Sequence, residues 1–356
     1  MLFRYMGLFT IVTSLVWSEG SFLDHTTTEK LVDDTHHTIS QTLFEWADIL
    51  DENISRWMGN DKAKQALIIP DRTPSKPTEK KSMNNIDLFF QNDKYLNETD
   101  NTYIRFRIDP SIQSRESNNF NLRLSAQLPF QKSRQSVKFF IEDTTIDDAR
   151  NLLNNDTQDK ENVPDIGIHY FAPESYGIES KYSLGLRGVH PYISARYNIP
   201  LHYHMWLIDP VQLFTYSTKY KFEEETNIYF DRELDSSSLL RIQLHRKTQT
   251  DEAGMDYGMA IQYYWSPGEK YGLKLSQSFW GNTKYSCDEE ETTIQANRTT
   301  YGGINNYVTT ISWRENLWRD WFFYEIMPSV NFHRKYDYKA NYSVRFFIDF
   351  YFSQYD

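Results

Sequence analysis

From residue 101 to the C-terminus, apolar and polar positions alternate with a period of two. The last segment shows it most fully. Tyr342, Val344, Phe346, Ile348, Phe350 and Phe352 interleave with Ser343, Arg345, Phe347, Asp349 and Tyr351. Phe120, Leu122, Leu124, Ala126 and Leu128 interleave with Asn121, Arg123, Ser125 and Gln127, and Tyr257, Met259, Ile261, Tyr263 and Trp265 with Gly258, Ala260, Gln262 and Tyr264. A period of two puts all the apolar residues of a segment on one strand face. Fourteen segments qualify, near 101–109, 119–129, 135–143, 166–172, 177–187, 190–199, 202–217, 221–234, 238–248, 255–265, 270–280, 304–314, 321–333 and 342–352. The apolar face is continuous, while the opposite face mixes charged, small and aromatic residues. That pattern predicts an all-β transmembrane fold, an antiparallel outer-membrane β-barrel of about 14 strands with lipid outside and a polar lumen. The segment 166–172 is short and precedes Pro173; without it the even count is 12.

The connections sort by length as a barrel requires. Pro110–Asn118, the acidic Thr144–Asp165, Gln249–Gly254 and the long Gly281–Gly303 fall on one side. Pro200-Leu201, Leu234–Ser237, Ser266–Glu269 and Glu315–Asp320 fall on the other, shorter side. A barrel with both ends periplasmic has long outer loops and short inner turns, whereas a soluble sandwich has no reason to sort them.

The first hundred residues differ. Arg4 and the apolar run Met6–Trp17 predict a signal peptide over 1–18, cut after Ser18 or as late as Gly20. That run is too short to span a bilayer as a helix, which takes about 20 residues, and no later stretch is long enough. Only a closed barrel then satisfies the backbone in lipid. Residues 21–100 form a periplasmic segment. Ile39, Leu43, Trp46, Leu50, Ile54 and Trp57 recur every three or four positions, predicting a short amphipathic helix over His36–Met58, stopped at Gly59-Asn60. Asp71–Lys81, with Pro74 and Pro77, reads as a flexible linker. The helix has three uses open to it: docking on the periplasmic mouth, plugging the lumen, or pairing with a copy of itself. The barrel proper occupies 101–352.

Composition agrees with this frame. Aromatic residues are 16% of the chain, yet mean hydropathy is −0.67, because only alternate strand residues meet lipid while aromatics gather at the interfaces. A net charge of −11 argues against a nucleic-acid partner. Cys287 is the single cysteine, so no intramolecular disulfide or cysteine metal site can form.

Two stretches resemble a family of proteobacterial outer-membrane β-barrel proteins: Thr226-Asn227-Ile228-Tyr229-Phe230-Asp231-Arg232, and Arg314 through Glu325 with Pro328 following. The terminal alternation over 342–352 likewise resembles the C-terminal signal by which such barrels are recognised for assembly, with Phe347 where glycine is usual and four residues beyond Phe352. The resemblance implies the outer membrane of a Gram-negative bacterium, lipid and lipopolysaccharide as surroundings, and the barrel-assembly machinery as a partner. It carries over no biochemical activity and supports location and fold only; on its residues, the chain is read as no enzyme and without a cofactor.

No catalytic set stands out. Barrel lipases place His and Ser two apart on a lipid-facing strand, and no His-x-Ser occurs. His202 and His204 would share one strand face, a pair compatible with a metal, but a third ligand is not evident. The acidic Asn154–Glu161 lacks the spacing of a calcium loop, and negative neighbours at 288–291 dull Cys287. The chemistry lies in the lumen. With the apolar face outward, Arg105, Arg107, Arg123, Lys138, Lys181, Arg187 and Arg196 point inward. Glu223, Glu225 and Asp231 follow on one strand, and Arg241, His245 and Lys247 on the next. A hairpin through Leu234–Ser238 puts Asp231 near Arg241 and Glu225 near Lys247. Arg345 joins the inward set from the last strand. These charges either pair to hold a closed barrel or set a transverse field in a narrow pore favouring anions. A closed barrel would organise the envelope through the N-terminal helix and a periplasmic partner.

Overall fold

The computed structural model describes residues 29–52 in part, 85–90, 93–98, 102–129, 137–144, 163–250, 254–268, 270–286, 300–301, 303–316 and 319–352. The chain divides into two compact units, 1–46 with 354–356 and 47–353. In the first, the described residues from 29 to 42 are helical, and Thr42 Oγ1 donates to the Thr38 carbonyl (2.8 Å), the local bond of a helix interior. The helix thus begins ahead of His36. Glu29 and Lys30 are good helix formers that carry no apolar period, so amphipathicity alone misses them. Of the expected apolar face, Ile39 is described; Leu43, Trp46, Leu50, Ile54 and Trp57 lie outside the described residues, as do the signal peptide and the linker at 71–81.

The second unit is a closed antiparallel barrel. Its strands are β1 (Tyr103–Gln113), β2 (Asn119–Pro129), β3 (Val137–Thr144), β4 (Val163–Ser175), β5 (Ile178–Arg187), β6 (His190–Asn198), β7 (Leu201–Tyr203), β8 (Trp206–Ser217), β9 (Lys221–Asp235), β10 (Ser238–Gln249), β11 (Asp256–Trp265) and β12 (Tyr271–Asn282). After the two-residue strands β13 (Tyr285–Ser286) and β14 (Thr300–Tyr301) come β15 (Ile304–Asn316), β16 (Phe322–His333) and β17 (Ala340–Phe352). The sheet runs β6 to β1, then β17, β16, β15, β12 and down to β8, and β6 pairs with β8 to close the ring. β7 extends only β8, so the wall has fourteen staves. The uncertain segment 166–172 is the middle of thirteen-residue β4, and Pro173 sits inside it where the β4–β5 register shifts. The ladder tolerates a proline at such an irregularity.

Closure follows from the pairing of first and last strands, with Ile104 opposite Phe352 and Phe106 opposite Phe350. Both ends of the barrel therefore meet at one rim, called the terminal rim below. Two expectations change here. Pro110 belongs to β1 rather than to a loop; it faces outward, and the β1–β17 ladder skips Asp109 and Pro110, as a residue without an N–H dictates. Loop lengths sort less cleanly than expected, because β5 and β6 at the far rim are joined by Gly188-Val189 alone.

The alternation settles which face is which. Phe120, Leu122, Leu124, Leu184, Leu186, Ile193, Ile311 and Phe346 are exposed on the outer surface. Asp109, Gln127, His169, Asp209, Arg241, Arg314 and Asp349 are buried on the inner one. A soluble protein does not expose a continuous belt of large apolar side chains, whereas a lipid-facing barrel must. The interior is filled in part by aromatic rings over glycines. Gly167 and Gly185 lie opposite each other, and a Cβ on Gly167 would stand 2.8 Å from Cε1 of the fully buried Phe140.

Two short helices precede β1 in this unit: α1 (Asn85–Phe90) and α2 (Asp93–Glu98). They lie inside the barrel at the terminal rim. Ile86, Phe89 and Phe90 form a buried cluster with Leu239 and Tyr264, with Phe323 packed against it. The three barrel residues stand at the terminal-rim ends of β10, β11 and β16.

Candidate functional site

The lumen concentrates the charged groups, and register explains how. Inward positions of neighbouring strands fall opposite one another, so one row of the wall reads Arg345, Ser111 and Asn119, and the row four residues along reads Asp349, Arg107 and Arg123. Two aspartates organise this part of the wall. Arg107 grips Asp349 through Nε (2.6 Å) and a terminal nitrogen (2.8 Å), and Arg314 reaches the same carboxylate at 2.7 Å. Arg123 and Arg345 share Asp109, at 3.0 and 2.7 Å. The Phe347 ring lies between Arg107 (4.6 Å) and Arg345 (5.0 Å). Arg314 also donates to Glu325 and stacks on Phe323. Arg105 stands beside this cluster, opposite Tyr351 and Ser125, and its Nε has no hydrogen-bond partner among the described residues. Arginines outnumber carboxylates along β15–β17 and β1–β2, leaving a positive surplus in a low-dielectric interior, where charge acts at greater strength than in water.

The next strands carry the remaining predicted cations. Lys138 lies opposite His169, whose ring stacks on Phe140 at 3.8 Å and whose Nδ1 meets Ser183 Oγ at 2.8 Å. Lys181 and Arg196 are direct cross-strand neighbours, a like-charge juxtaposition. Arg187 reaches Asp165 (3.5 Å) and Glu223 (3.8 Å).

The opposite wall is acidic with embedded bases. Asp231 and Arg241 are cross-strand partners joined by two hydrogen bonds of 2.7 and 2.8 Å. Glu225 is opposite Lys247, but the ammonium of Lys247 goes to Glu223 (3.5 Å), while Glu225 accepts from Asn227 Nδ2 and faces His245 at 3.7 Å. The long lysine side chain reaches one inward position further along β9 than register alone implies.

The helices α1 and α2 complete the site, and periodicity did not reveal them: six residues each are too few to show a helical period. The available signal was the apolar cluster Ile86, Leu88, Phe89, Phe90 directly after the linker. Polar contacts at Asp87, Phe89 and Lys94 lock the segment. Arg241 binds Asp87 (2.9 Å), Arg314 Nε donates to the Phe89 carbonyl (3.1 Å), and Lys94 lies between Asp209 (2.9 Å) and Asp231 (2.8 Å) over the Tyr229 ring. The phenyl rings fill the space left by Gly272 on β12.

The expected histidine pair does not form. His202 lies in β7, but His204 is in the following turn with φ 51°, so the two do not share a strand face. Among the described residues, no group of three or more His, Cys, Asp or Glu is placed to hold a metal. Cys287 and the acidic stretch 154–161 lie outside the described residues.

No family model matches the chain. No curated protein matches it either. Solved structures do: OmpT, an outer membrane protein of Vibrio cholerae, is 8% identical over 70% of this chain and 97% of its own, with a TM-score of 0.42. A bacterial polysaccharide outer membrane secretin is 10% identical over 71% and 98%, with a TM-score of 0.42. The NanC porin is 5% identical over 69% and 98%, with a TM-score of 0.34. The fold of this chain rests on its own strand pairing and not on these likenesses.

Proposed function

We propose that this protein spans the outer membrane of a Gram-negative bacterium as a narrow pore whose arginine-rich wall favours anionic solutes. The terminal rim is then periplasmic, with α1 and α2 narrowing that mouth. The observation that carries the reading is the sharing of Asp109 and Asp349, each between two lumen arginines. A purely structural ion-pair network has no need of surplus cations, because each buried charge costs desolvation that only a partner offsets. An unequal ratio on one wall biases the ions that pass it. Lipid and lipopolysaccharide surround the outer belt, and no nucleic acid, cofactor or catalysis is invoked.

A second reading is favoured by the docked helices: a closed barrel that organises the envelope, with the chain before α1 engaging a periplasmic partner. Reversal potential in a salt gradient separates the two. The pore should pass anions preferentially, and Arg107→Gln with Arg123→Gln and Arg345→Gln should shift selectivity toward cations. Unchanged selectivity in a conducting triple variant would remove the arginine wall from the account.

A further inference from the structure

Lys94 is held as a ligand is held. Its ammonium lies 2.9 Å from Asp209 and 2.8 Å from Asp231, and 4.8 Å from the centre of the Tyr229 ring. Two carboxylates and an aromatic face are the chemistry that recognises an alkylammonium. The cradle belongs wholly to the barrel: Asp209 and Tyr229 are cross-strand partners on β8 and β9, and Asp231 follows two residues on, facing the same way. Arg241 holds Asp231 by two hydrogen bonds, one to each carboxylate oxygen, so that carboxylate is oriented whether or not Lys94 is present. Asp209 is 2% exposed, and its Oδ1 has no hydrogen-bond partner among the described residues, so the cradle keeps acceptor capacity that Lys94 leaves unused.

We propose that Asp209, Asp231 and Tyr229 form a binding site for alkylammonium ligands, which the chain's own Lys94 occupies as a tethered pseudo-ligand. A free amine entering from the terminal rim competes with Lys94 and loosens α2 from the wall. The tether gives Lys94 an effective concentration on the order of millimolar. A free amine below that concentration is therefore a poor competitor, and the fitting class is a linear primary alkylamine with the reach of a lysine side chain, 1,5-diaminopentane among them. The site stands on geometry and is independent of whether the barrel conducts.

The test is calorimetric titration of the detergent-folded full chain with 1,5-diaminopentane, comparing wild type, Lys94→Met, and Lys94→Met with Asp209→Asn. Heat-modifiable electrophoretic mobility checks that each barrel is folded. If Lys94 fills the cradle at least nine-tenths of the time, its removal raises apparent affinity by about tenfold or more. The added Asp209→Asn change should then abolish that gain. A folded Lys94→Met barrel that binds the diamine no better than wild type would overturn the proposal. So would equal binding by the Asp209→Asn double variant, which would locate the amine elsewhere on the acidic surface. Asp209→Glu in place of Asn keeps the charge and should retain measurable binding; its loss alongside Asn would point to misfolding of β8, which the mobility shift reads directly.

Discussion

Gly272 and Phe89 occupy one space from two sides: a Cβ on Gly272 would stand 2.8 Å from Cε1 of Phe89, and equally close to Cζ of Phe90. The inner face of β12 is bare where the two rings lie against it. The barrel wall and the segment before β1 are therefore complementary in shape as well as in charge. Gly272→Val should crowd the rings and weaken docking by about 1–3 kcal/mol, the usual cost of overpacking. Hydrogen exchange should show faster exchange over 85–98 with the β-strand amides unchanged; unaltered exchange there would mean that the rings are not wedged against β12.

Arg241 joins the segment to the barrel. It is 1% exposed and bonded to both Asp231 and Asp87. Arg241→Gln leaves two carboxylates short of a partner, and breaking a buried pair costs about 3–5 kcal/mol. Lys94 still faces Asp231, so the loss should fall toward the lower end. Thermal unfolding of the folded barrel measures it. The same substitution paired with Asp231→Asn should cost less than the sum of the two single changes, since both remove one interaction.

The outer face offers a separate check. Leu184 is 61% exposed in the middle of β5, between Ile168 and Ile193. In lipid, Leu184→Arg should destabilise by about 2–4 kcal/mol, the cost of a cation near the bilayer midplane, while Leu184→Met should cost less than about 1.5 kcal/mol. Urea unfolding in lipid vesicles reads both. An arginine tolerated at this position without loss would mean that β5 does not face hydrocarbon.

The wall was legible in the sequence because a period of two is all that a strand in lipid needs to announce. The alternation at 342–352 is β17, and the hairpin read through 234–238 places Asp231 opposite Arg241 as the β9–β10 ladder has it. What stayed hidden depends on contacts between distant elements. Arg314 meets Asp349 across 35 positions, and that meeting depends on the registers of β15, β16 and β17 together. The docked helices were hidden for another reason. Asn85–Phe90 and Asp93–Glu98 are single short turns held by the lumen wall rather than by their own periodicity, so only the tertiary context shows them as helices. Pro110 and Pro173 misled in the other direction, since proline marks breaks more often than irregular strand positions.

The most direct measurement is single-channel conductance in a planar bilayer of the full chain beside one lacking residues 21–100. The full chain should show small or infrequent steps, and the shortened chain steady, larger, anion-selective ones once α1 and α2 no longer occupy the mouth. A shortened barrel that folds, inserts and stays silent would contradict the pore and leave the closed, structural barrel as the reading.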